Sequence, residues 1–453
     1  MCGICGMVAK AVLGPAQAAA VRQINAALAH RGPDGASEFL DAHLAMAMRR
    51  LSIIDLEHGW QPLYSEDGSV ALICNGEIYN FIELRAELAR RGHRFATGSD
   101  CETIVHLYEE DGVRCVEHLR GMFAFALWDK RRQRLVLARD RMGEKPLYLW
   151  EEDGVLVFAS ELKALLRSGL VPFALDPVSI DQYFHYQFVP EPRSPLAGVR
   201  KLDAACLLTV DVNPWRVAEQ RYWRMEAIPA LDGNPAELIR RELEEVSRIV
   251  IRADVPVGVA LSSGLDSSAI AALAARHYPG VMHAFSVGYE GCPPCDERAG
   301  ARALAEQLGL PFHEVVLSAG EVVESFPDLV RWRDDPIADI SGHGYYAVMK
   351  AAREHGVPVV LQGQGGDELF WGYEWVRQAA VRSERKARFR RWGGVALWDG
   401  WQVAGWPGIR PRAWKRWAGR VRDVIRAKRA EWRVYAAAPD RLIFYELSGD
   451  FRD

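Results

Sequence analysis

No stretch of this chain approaches the ~18 consecutive apolar residues that a membrane-crossing helix needs. The first thirty residues also lack a basic start followed by an unbroken apolar core, so a secretory leader is not expected. Val21, Ile24 and Leu28 recur instead at helical spacing. A cytoplasmic location is the resulting expectation. Cysteine is sparse, 8 in 453 residues, which excludes a disulfide-stapled scaffold. Two Cys-x-x-Cys pairs exist, Cys2/Cys5 and Cys292/Cys295, but they lie far apart with no His-x-His or third pair beside them. A zinc site built from them is not expected. Cys74, Cys101, Cys115 and Cys206 sit among apolar residues and read as small hydrophobes. Internal repeats and low-complexity tracts are lacking too.

What is present is an ordinary globular composition, 49% hydrophobic and 26% charged, long enough for two or three domains. The net charge of −4 is unevenly spread: residues 377–433 carry 17 Lys and Arg against 4 Asp and Glu, with 7 of the 15 tryptophans. The basic runs 385–391 and 410–433 raise the question of anionic lipid or nucleic acid. An amphipathic helical insertion with solvated arginines and packed tryptophans is the expectation, so neither a nucleic-acid nor a membrane partner is expected.

Two patterns divide the chain. In 1–210, short apolar runs at 44–54, 70–74, 123–128, 135–138, 147–150 and 155–159 alternate with turns. They predict a mainly antiparallel strand system with helices over 16–30 and 82–91. A polar stretch with Pro and Gly, 211–235, predicts a linker. In 236–453, strands (255–261, 282–287, 313–317, 357–361) alternate with helices (267–276, 296–308, 344–355). That alternation predicts a parallel sheet covered on both faces.

The chain begins Met1-Cys2-Gly3-Ile4-Cys5-Gly6. Trimming of the initiator methionine before a small residue is expected to leave Cys2 first, with a thiol and an α-amine on one residue. The amine, titrating at about pH 8, can take the thiol's proton. Three polar islands interrupt the apolar runs: His30-Arg31-Gly32-Pro33-Asp34-Gly35, Asn75-Gly76-Glu77-Ile78-Tyr79-Asn80 and Thr97-Gly98-Ser99-Asp100-Cys101-Glu102. Arg49-Arg50-Leu51-Ser52-Ile53 is a fourth feature. Amide hydrolysis by a thiol requires donors aimed at a developing oxyanion, and the Asn75 side chain beside the Gly76 N–H offers two. Free glutamine also carries an α-carboxylate, onto which Arg50 can fork, and an α-ammonium, which Glu77 and Asp100 can hold. Singly, each island also reads as structure: Asn-Gly as a hairpin turn, Gly-Ser-Asp as a helix cap, Arg-Gly-Pro-Asp as turn chemistry. Their joint occurrence with Cys2 favours the chemical reading.

In this order the motifs resemble the glutaminase domain of class II, N-terminal-nucleophile (Ntn) amidotransferases. Gly121-Met122-Phe123-Ala124-Phe125-Ala126 and the run from Arg139-Asp140-Arg141 to Leu147-Tyr148 extend the likeness. The resemblance implies a four-layer αββα Ntn-hydrolase sandwich. It implies Cys2 as nucleophile and an oxyanion hole from Asn75 and the Gly76 N–H. Glutamine would be held by Arg50, Leu51, Ile53, Asn75, Glu77 and Asp100, with the 31–34 loop closing over it.

In the second block a predicted strand runs into Ser262-Ser263-Gly264-Leu265-Asp266-Ser267-Ser268 and then a helix. A Gly/Ser loop at a helix N-terminus offers N–H groups and hydroxyls to an anion. The lysine of a Gly-Lys-Ser/Thr P-loop is absent. Asp266 can place Mg²⁺ on phosphates; a plain N-cap is the alternative. Leu361-Gln362-Gly363-Gln364-Gly365-Gly366-Asp367-Glu368 follows another strand end, where glycines allow close approach and Asp367 offers a second metal carboxylate. Both loops are expected at strand carboxyl ends, where open parallel sheets bind ligands.

The pair resembles the synthetase domain of glutamine-dependent asparagine synthetases, an α/β adenine-nucleotide domain of the pyrophosphate-loop (PP-loop) kind, with Ser263 in place of the loop's first glycine. The resemblance implies ATP held by Leu261, Ser262, Gly264, Asp266, Ser267, Val287, Gly288, Gly363 and Gln364, and Mg²⁺ held by Asp266 and Asp367. Asp334-Asp335-Pro336, Ala338-Asp339 and Gly372-Tyr373 continue it. Two departures stand out. The family has a glutamate where this chain has Gln364, so that residue's acid–base role in acyl-adenylate chemistry does not carry over. Either Asp367 or Glu368 compensates, or the acceptor differs from aspartate. Family chains also continue with a further helical segment, which this sequence, stopping at Phe451-Arg452-Asp453, is expected to lack.

The expected function is ATP-dependent amidation of aspartate to asparagine with ammonia from glutamine, through a thioester at Cys2 and an acyl-adenylate. The alternatives are amidation of another carboxylate, on a sugar or secondary metabolite, and a non-catalytic regulatory protein that binds glutamine and nucleotide. Expected partners are small-molecule substrates, with a homodimer left open.

Overall fold

The strands of the first half alternate between two hydrophobic surroundings, and that alternation builds its layers. In this computed structural model, residues 1–390 are described except Cys295, Ile340 and Trp371. The chain runs β1 (Gly3–Ala9), α1 (Pro15–Ala27), β2 (Gly35–Leu40), β3 (Leu44–Arg50), β4 (Leu63–Tyr64), β5 (Val70–Ile78), α2 (Phe81–Arg90) and α3 (Glu102–Asp111). It continues through β6 (Gly121–Asp129), β7 (Arg134–Arg139), β8 (Tyr148–Glu152), β9 (Val155–Ala159), α4 (Leu162–Leu166), α5 (Pro177–Tyr186), β10 (Val199–Lys201), β11 (Cys206–Asp211) and β12 (Arg216–Arg221). These strands form two six-stranded antiparallel sheets, β10-β8-β9-β1-β3-β2 and β12-β11-β7-β6-β5-β4.

Ile4, Val8, Leu44, Met46 and Met48 of one sheet meet Ala71, Ile73, Ala126 and Leu137 of the other in a core between the sheets. Their neighbours Cys5, Met7, Ala45 and Ala47 point the opposite way, under Val21 and Ile24 of α1 and Leu165 of α4. Leu72, Cys74 and Phe125 pack outward against Leu84 and Leu88 of α2 and Ile104 and Val105 of α3. Helix, sheet, sheet, helix is the four-layer sandwich expected.

One strand goes unforeseen in the sequence, and one boundary is corrected. The apolar pattern does not predict β1, because two glycines in seven residues lower strand propensity; it forms because β3 and β9 flank it. The linker read over 211–235 is shorter. Asp211 ends β11, and β12 is an edge strand paired to it, polar because its outer side faces water. The connecting run is 222–234.

The second half contains α6 (Pro235–Ile249), β13 (Val257–Ala260), α7 (Leu265–His277), β14 (His283–Tyr289), α8 (Arg298–Leu308), β15 (Phe312–Leu317), α9 (Ala319–Trp332), α10 (Gly342–Glu354) and β16 (Val359–Leu361). The four strands are parallel in the order β15-β14-β13-β16. Ala271 and Ala274 of α7 and Ala301 and Ala305 of α8 pack with Val257, Val259 and Ala284. Val348 and Ala352 of α10 pack with Phe285 and Val357 in a separate cluster, so helices cover both faces as expected. The strand order reverses between β13 and β16, which opens a crevice at their carboxyl ends.

By contact the chain forms two units, Met1–Gln362 and Gly363–Asp453. The described part of the second holds α11 (Gly366–Phe370) and α12 (Glu374–Arg390). Most of the basic, tryptophan-rich stretch lies outside the described residues. Among those described, no helix is long and apolar enough to cross a membrane.

Within the first unit, carboxylates of the second half hold backbone N–H groups of the first. Asp254 Oδ2 accepts the Asp55 N–H at 2.7 Å, and the Asp254 N–H donates to Ile53 O at 2.9 Å. Asp334 accepts the N–H groups of Leu162 and of Lys163, the latter at 2.9 Å. Arg252 pairs with Glu83 at 2.6 Å, and Lys201 with Asp335.

Buried Asp140 gathers the loop after β7. Its carboxylate accepts the N–H groups of Phe123 (3.1 Å), Met142 (3.1 Å), Glu144 (2.9 Å) and Lys145 (3.1 Å). Asp140→Ala leaves four donors without this acceptor, at an expected cost of about 3 kcal/mol or more. Calorimetry should show melting lowered by several degrees; an unchanged melting temperature would contradict this account of the loop.

Candidate active site

Register and alternation assemble the predicted residues. Inward-facing Ile4 and Val8 of β1 put Cys2 on the same side. Inward-facing Leu44, Met46 and Met48 do the same for Arg50. Pairing of Gly3 with Arg49 sets Cys2 opposite Arg50. On the facing sheet, Ala71 and Ile73 carry Asn75 and Glu77 to the inner side of β5. The apolar core between the sheets thus gives way to a polar end. Asn75-Gly76 is no hairpin turn, since both residues lie inside β5. Gly76 is glycine because a Cβ there would lie 2.3 Å from Met122 O on β6.

Cys2 Sγ accepts the Leu51 N–H at 3.3 Å. Arg31 fixes the same residue from behind: its Nε donates to Cys2 O at 2.9 Å and its Nη1 to Glu161 Oε1 at 3.1 Å. Burial pushes the Cys2 thiol pKa up, while the Leu51 N–H and the nearby α-amine pull it down. The amine of Met1 is itself lowered to about 6, chiefly by burial. Asn75 is 1% exposed, and its Nδ2 has no partner among the described residues. A buried donor left unpaired costs about 1–3 kcal/mol, which an arriving acceptor recovers.

Arg50 is buried, stacks on Trp60 at 5.1 Å, and donates to Leu56 O (3.2 Å), Ile54 O (3.2 Å) and Asp55 O (2.6 Å). Three of its five N–H donors shape the 51–59 loop, and two remain for a carboxylate. Leu51 and Ile53 lie on that loop. Asp55 Oδ2 accepts the Gly98 N–H at 2.6 Å, joining it to the 97–100 segment. Asp100 is no helix cap either: its Oδ2 accepts the Ile78 N–H at 2.7 Å, from β5. Burial raises Asp100 to about 6. Burial, then the Asp100 charge, raises Glu77, against pulls from Lys145, the α-amine and Arg50. Buried Asp100 beside half-buried Glu77 disfavours joint ionisation, and the pair suits a cationic guest.

The 31–34 loop is tied to the same place, Asp34 Oδ2 accepting the Ser52 N–H at 2.7 Å. Sequence reasoning gives no role to the Leu51 N–H, Lys145, Asp55 or Asp254. Backbone donors carry no sequence signal. Lys145 lies inside a run whose likeness is legible without assigning it a task.

At the second candidate site, Leu261 is buried and its N–H donates to Phe285 O at 2.8 Å. Ser262 Oγ and Ser267 Oγ lie 2.8 Å apart, and Ser262 Oγ accepts the Gly264 N–H at 3.1 Å. Gly264 begins α7 with no side-chain cap, so a donor-rich helix end opens at the crevice. Asp266 sits in its first turn with no ion pair to another described residue. Ser263, in place of the expected glycine, is exposed, and Gly300 leaves it room: a Cβ there would come within 2.7 Å of Ser263 Cβ. Val287 and Gly288 end the adjoining β14. A Cβ at Gly288 would strike Arg298 Nε at 1.9 Å. Gly363, Gln364 and Asp367 lie in the second unit. There Gly365, at φ +96°, donates its N–H to Glu368 Oε2 at 2.9 Å, and Gln364 is exposed. Cys5 is buried and Cys292 exposed, with Cys295 outside the described residues; Cys74, Cys101, Cys115 and Cys206 are buried as expected.

A cavity of 220 Å³ lies between the two halves of the first unit. Met1, Arg31 and Leu51 line it on the Cys2 side, and Met349, Val357 and Val360 on the other.

Because folding raises the Asp100 pKa, the native chain holds a proton there that the unfolded chain has lost. The resulting stability is present below the unfolded carboxylate range and lost as pH rises through about 6. Asp100→Asn removes this titration yet keeps an acceptor for Ile78. Its melting temperature relative to wild type should become more positive from about pH 5 to pH 7.5; a pH-independent difference would rule out the raised pKa.

Residues 1–223 match the family model of a glutamine amidotransferase domain, and residues 238–450 that of asparagine synthase. The chain is 38% identical over 384 residues to asparagine synthetase (glutamine-hydrolyzing) 1 of Bacillus subtilis (strain 168), covering 83% of this chain and 60% of that protein. It is 35% identical over 396 residues to asparagine synthetase (glutamine-hydrolyzing) 2 of Oryza sativa subsp. japonica, covering 85% and 61%. With the amidase chry2 of Gibberella zeae it shares 34% over 369 residues, 77% and 54%. The chain thus spans about 60% of the length of the first two of these relatives. Among solved structures, glutamine phosphoribosylpyrophosphate amidotransferase from B. subtilis aligns over 80% of each chain, with a TM-score of 0.36 and 16% identity.

Proposed function

The chain belongs to the glutamine-dependent asparagine synthetase family, and from that premise we propose that it draws ammonia from glutamine at Cys2 and uses ATP to place it on a carboxylate. Aspartate is the first candidate acceptor, with asparagine as product. The observation that carries the reading is the orphaned, buried Asn75 Nδ2 on the strand facing a cysteine held by the Leu51 N–H.

Glutamine enters with its ammonium toward Glu77 and Asp100 and its carboxylate toward the free donors of Arg50. With Met1 removed, the α-amine of Cys2 takes the thiol proton. The sulfur attacks the side-chain amide carbon, and the oxyanion receives the Asn75 Nδ2 donor and the Gly76 N–H. Collapse expels ammonia with that proton and leaves a thioester, which water hydrolyses to glutamate. Ammonia passes internally to the second half, since bulk water would protonate it; a half-open pocket of 220 Å³ lies where the halves meet.

In this reading the second half binds a nucleoside triphosphate. The uncapped α7 N-terminus and the hydroxyls of Ser262 and Ser267 suit a departing pyrophosphate, and Leu261, Val287 and Gly288 flank it on adjoining strands. Asp266 would hold the magnesium that accompanies ATP and offsets the phosphate charge. The acceptor carboxylate attacks the α-phosphorus, pyrophosphate leaves, and ammonia displaces AMP from the acyl-adenylate. Gln364 motivates a second reading, a carboxylate other than aspartate, because an amide cannot serve as acid or base.

Cys2→Ala should lower glutamine hydrolysis at least about 1,000-fold while ammonia-dependent pyrophosphate release persists. A variant that still hydrolyses glutamine would remove Cys2 from its role. Pyrophosphate release that requires aspartate and yields asparagine supports the first reading; release that requires another carboxylate supports the second.

A further inference from the structure

We propose that the first half carries a closed divalent-cation site, zinc by its ligand chemistry, formed by Glu66, His93, His106 and Glu109. None of the four belongs to the glutamine or nucleotide sites. Glu66 lies in the turn between β4 and β5, and His93 follows α2. His106 and Glu109 are three apart on α3 and so share a face. Each offers one ligand atom, and the four atoms lie within 4.8 Å of one another.

The four histidine–carboxylate separations are close to those around a small tetrahedral ion. His93 Nδ1 is 3.3 Å from Glu66 Oε1 and 3.7 Å from Glu109 Oε2. His106 Nδ1 is 3.5 Å from Glu66 Oε2 and 2.9 Å from Glu109 Oε2. Zinc bound by nitrogen and oxygen at about 2.0–2.1 Å sets neighbouring ligands about 3.3 Å apart, the middle of this range. Two imidazoles with two carboxylates suit zinc, and four protein ligands leave no open position, as in structural sites.

The surroundings supply a second, independent observation. Both rings turn Nδ1 inward and Nε2 toward an outer carboxylate. His93 Nε2 lies 3.1 Å from Glu110 Oε1, and His106 Nε2 lies 3.7 Å from Glu102 Oε1. Metal-bound histidines carry outer carboxylates of this kind, which orient the ring and strengthen the ligand. The Nε2 of fully buried His106 makes no hydrogen bond among the described residues. Glu102 is itself fixed, accepting the Ala96 and Thr97 N–H groups at 2.6 and 2.8 Å. The Arg94 N–H holds Glu66 Oε1 at 3.0 Å. The two rings lie 4.8 Å apart, centre to centre.

Such an ion would pin the α2–α3 connection to the β4–β5 turn. That connection ends in Gly98-Ser99-Asp100, so the ion would brace the approach to Asp100 without touching substrate.

The test uses the full chain, stripped with chelator, loaded with Zn²⁺, freed of unbound metal by gel filtration and assayed by mass spectrometry. Wild type should retain one zinc per chain and melt higher than its stripped form. His93→Gln with Glu109→Gln should lower retained zinc at least tenfold with circular dichroism unchanged. Cys2→Ala and Cys206→Ala should each keep the full equivalent, which separates the site from thiols. Should the double variant not fold, Glu66→Gln, at an exposed position, takes its place. Equal retention in wild type and variant, or no rise in wild-type melting with zinc, would reduce the cluster to an ion-pair network and overturn the proposal.

Discussion

The Arg50 guanidinium is the contact on which the candidate glutamine site depends. It is buried and cannot shed its proton, so its charge must be answered by neighbours. The carbonyls of Ile54, Asp55 and Leu56 answer it, at about 1.5–3 kcal/mol for each charge-assisted bond. In doing so they fix the path of the 51–59 loop. The loop then presents the Leu51 N–H to Cys2, the Asp55 carboxylate to Gly98 and the Asp55 N–H to Asp254. One side chain at the end of β3 thereby places the thiol's donor, the 97–100 segment and a contact with the second half.

The charges around it are held out of balance. Glu77 and Asp100 are raised by burial, and Lys145 and the α-amine are lowered by it. Each group is further from its solvated state than a surface residue would be. A ligand carrying one positive and one negative end, as an amino acid does, relieves both kinds of strain at once. Asn75, buried with an Nδ2 donor that no described residue accepts, is suited to an acceptor on such a ligand.

Much of this was legible in the sequence because it is carried by side chains at fixed spacing. Cys2, Asn75, Glu77 and Asp100 are short motifs, and the β-strand period of two predicts which of them share a face once the strands are known. The weak point is β1, whose Gly3 and Gly6 mask a strand that exists through its neighbours. The boundary after β11 was misjudged for a related reason, since a polar edge strand and a polar linker look alike in one dimension. Roles played by backbone groups, such as the Leu51 N–H, leave no trace in residue identity. The Glu66, His93, His106 and Glu109 cluster was invisible too, because its members come from three separate segments that only the fold brings together.

The halves of the first unit meet asymmetrically. At Asp254 and Asp334 the second half provides the side chains, and the first provides peptide N–H groups that every residue but proline possesses. At the ion pairs Arg252–Glu83 and Lys201–Asp335, by contrast, both halves supply side chains. A different first half with the same backbone course at 53–55 and 162–163 would meet the same two carboxylates, yet would need an acid in place of Glu83 and a base in place of Lys201 to keep the ion pairs. Substitution is therefore tolerated unevenly along this junction: the first half is free to vary in side chain at 55, 162 and 163 as far as these carboxylates are concerned, while Asp254 and Asp334 in the second, and Glu83 and Lys201 in the first, are not.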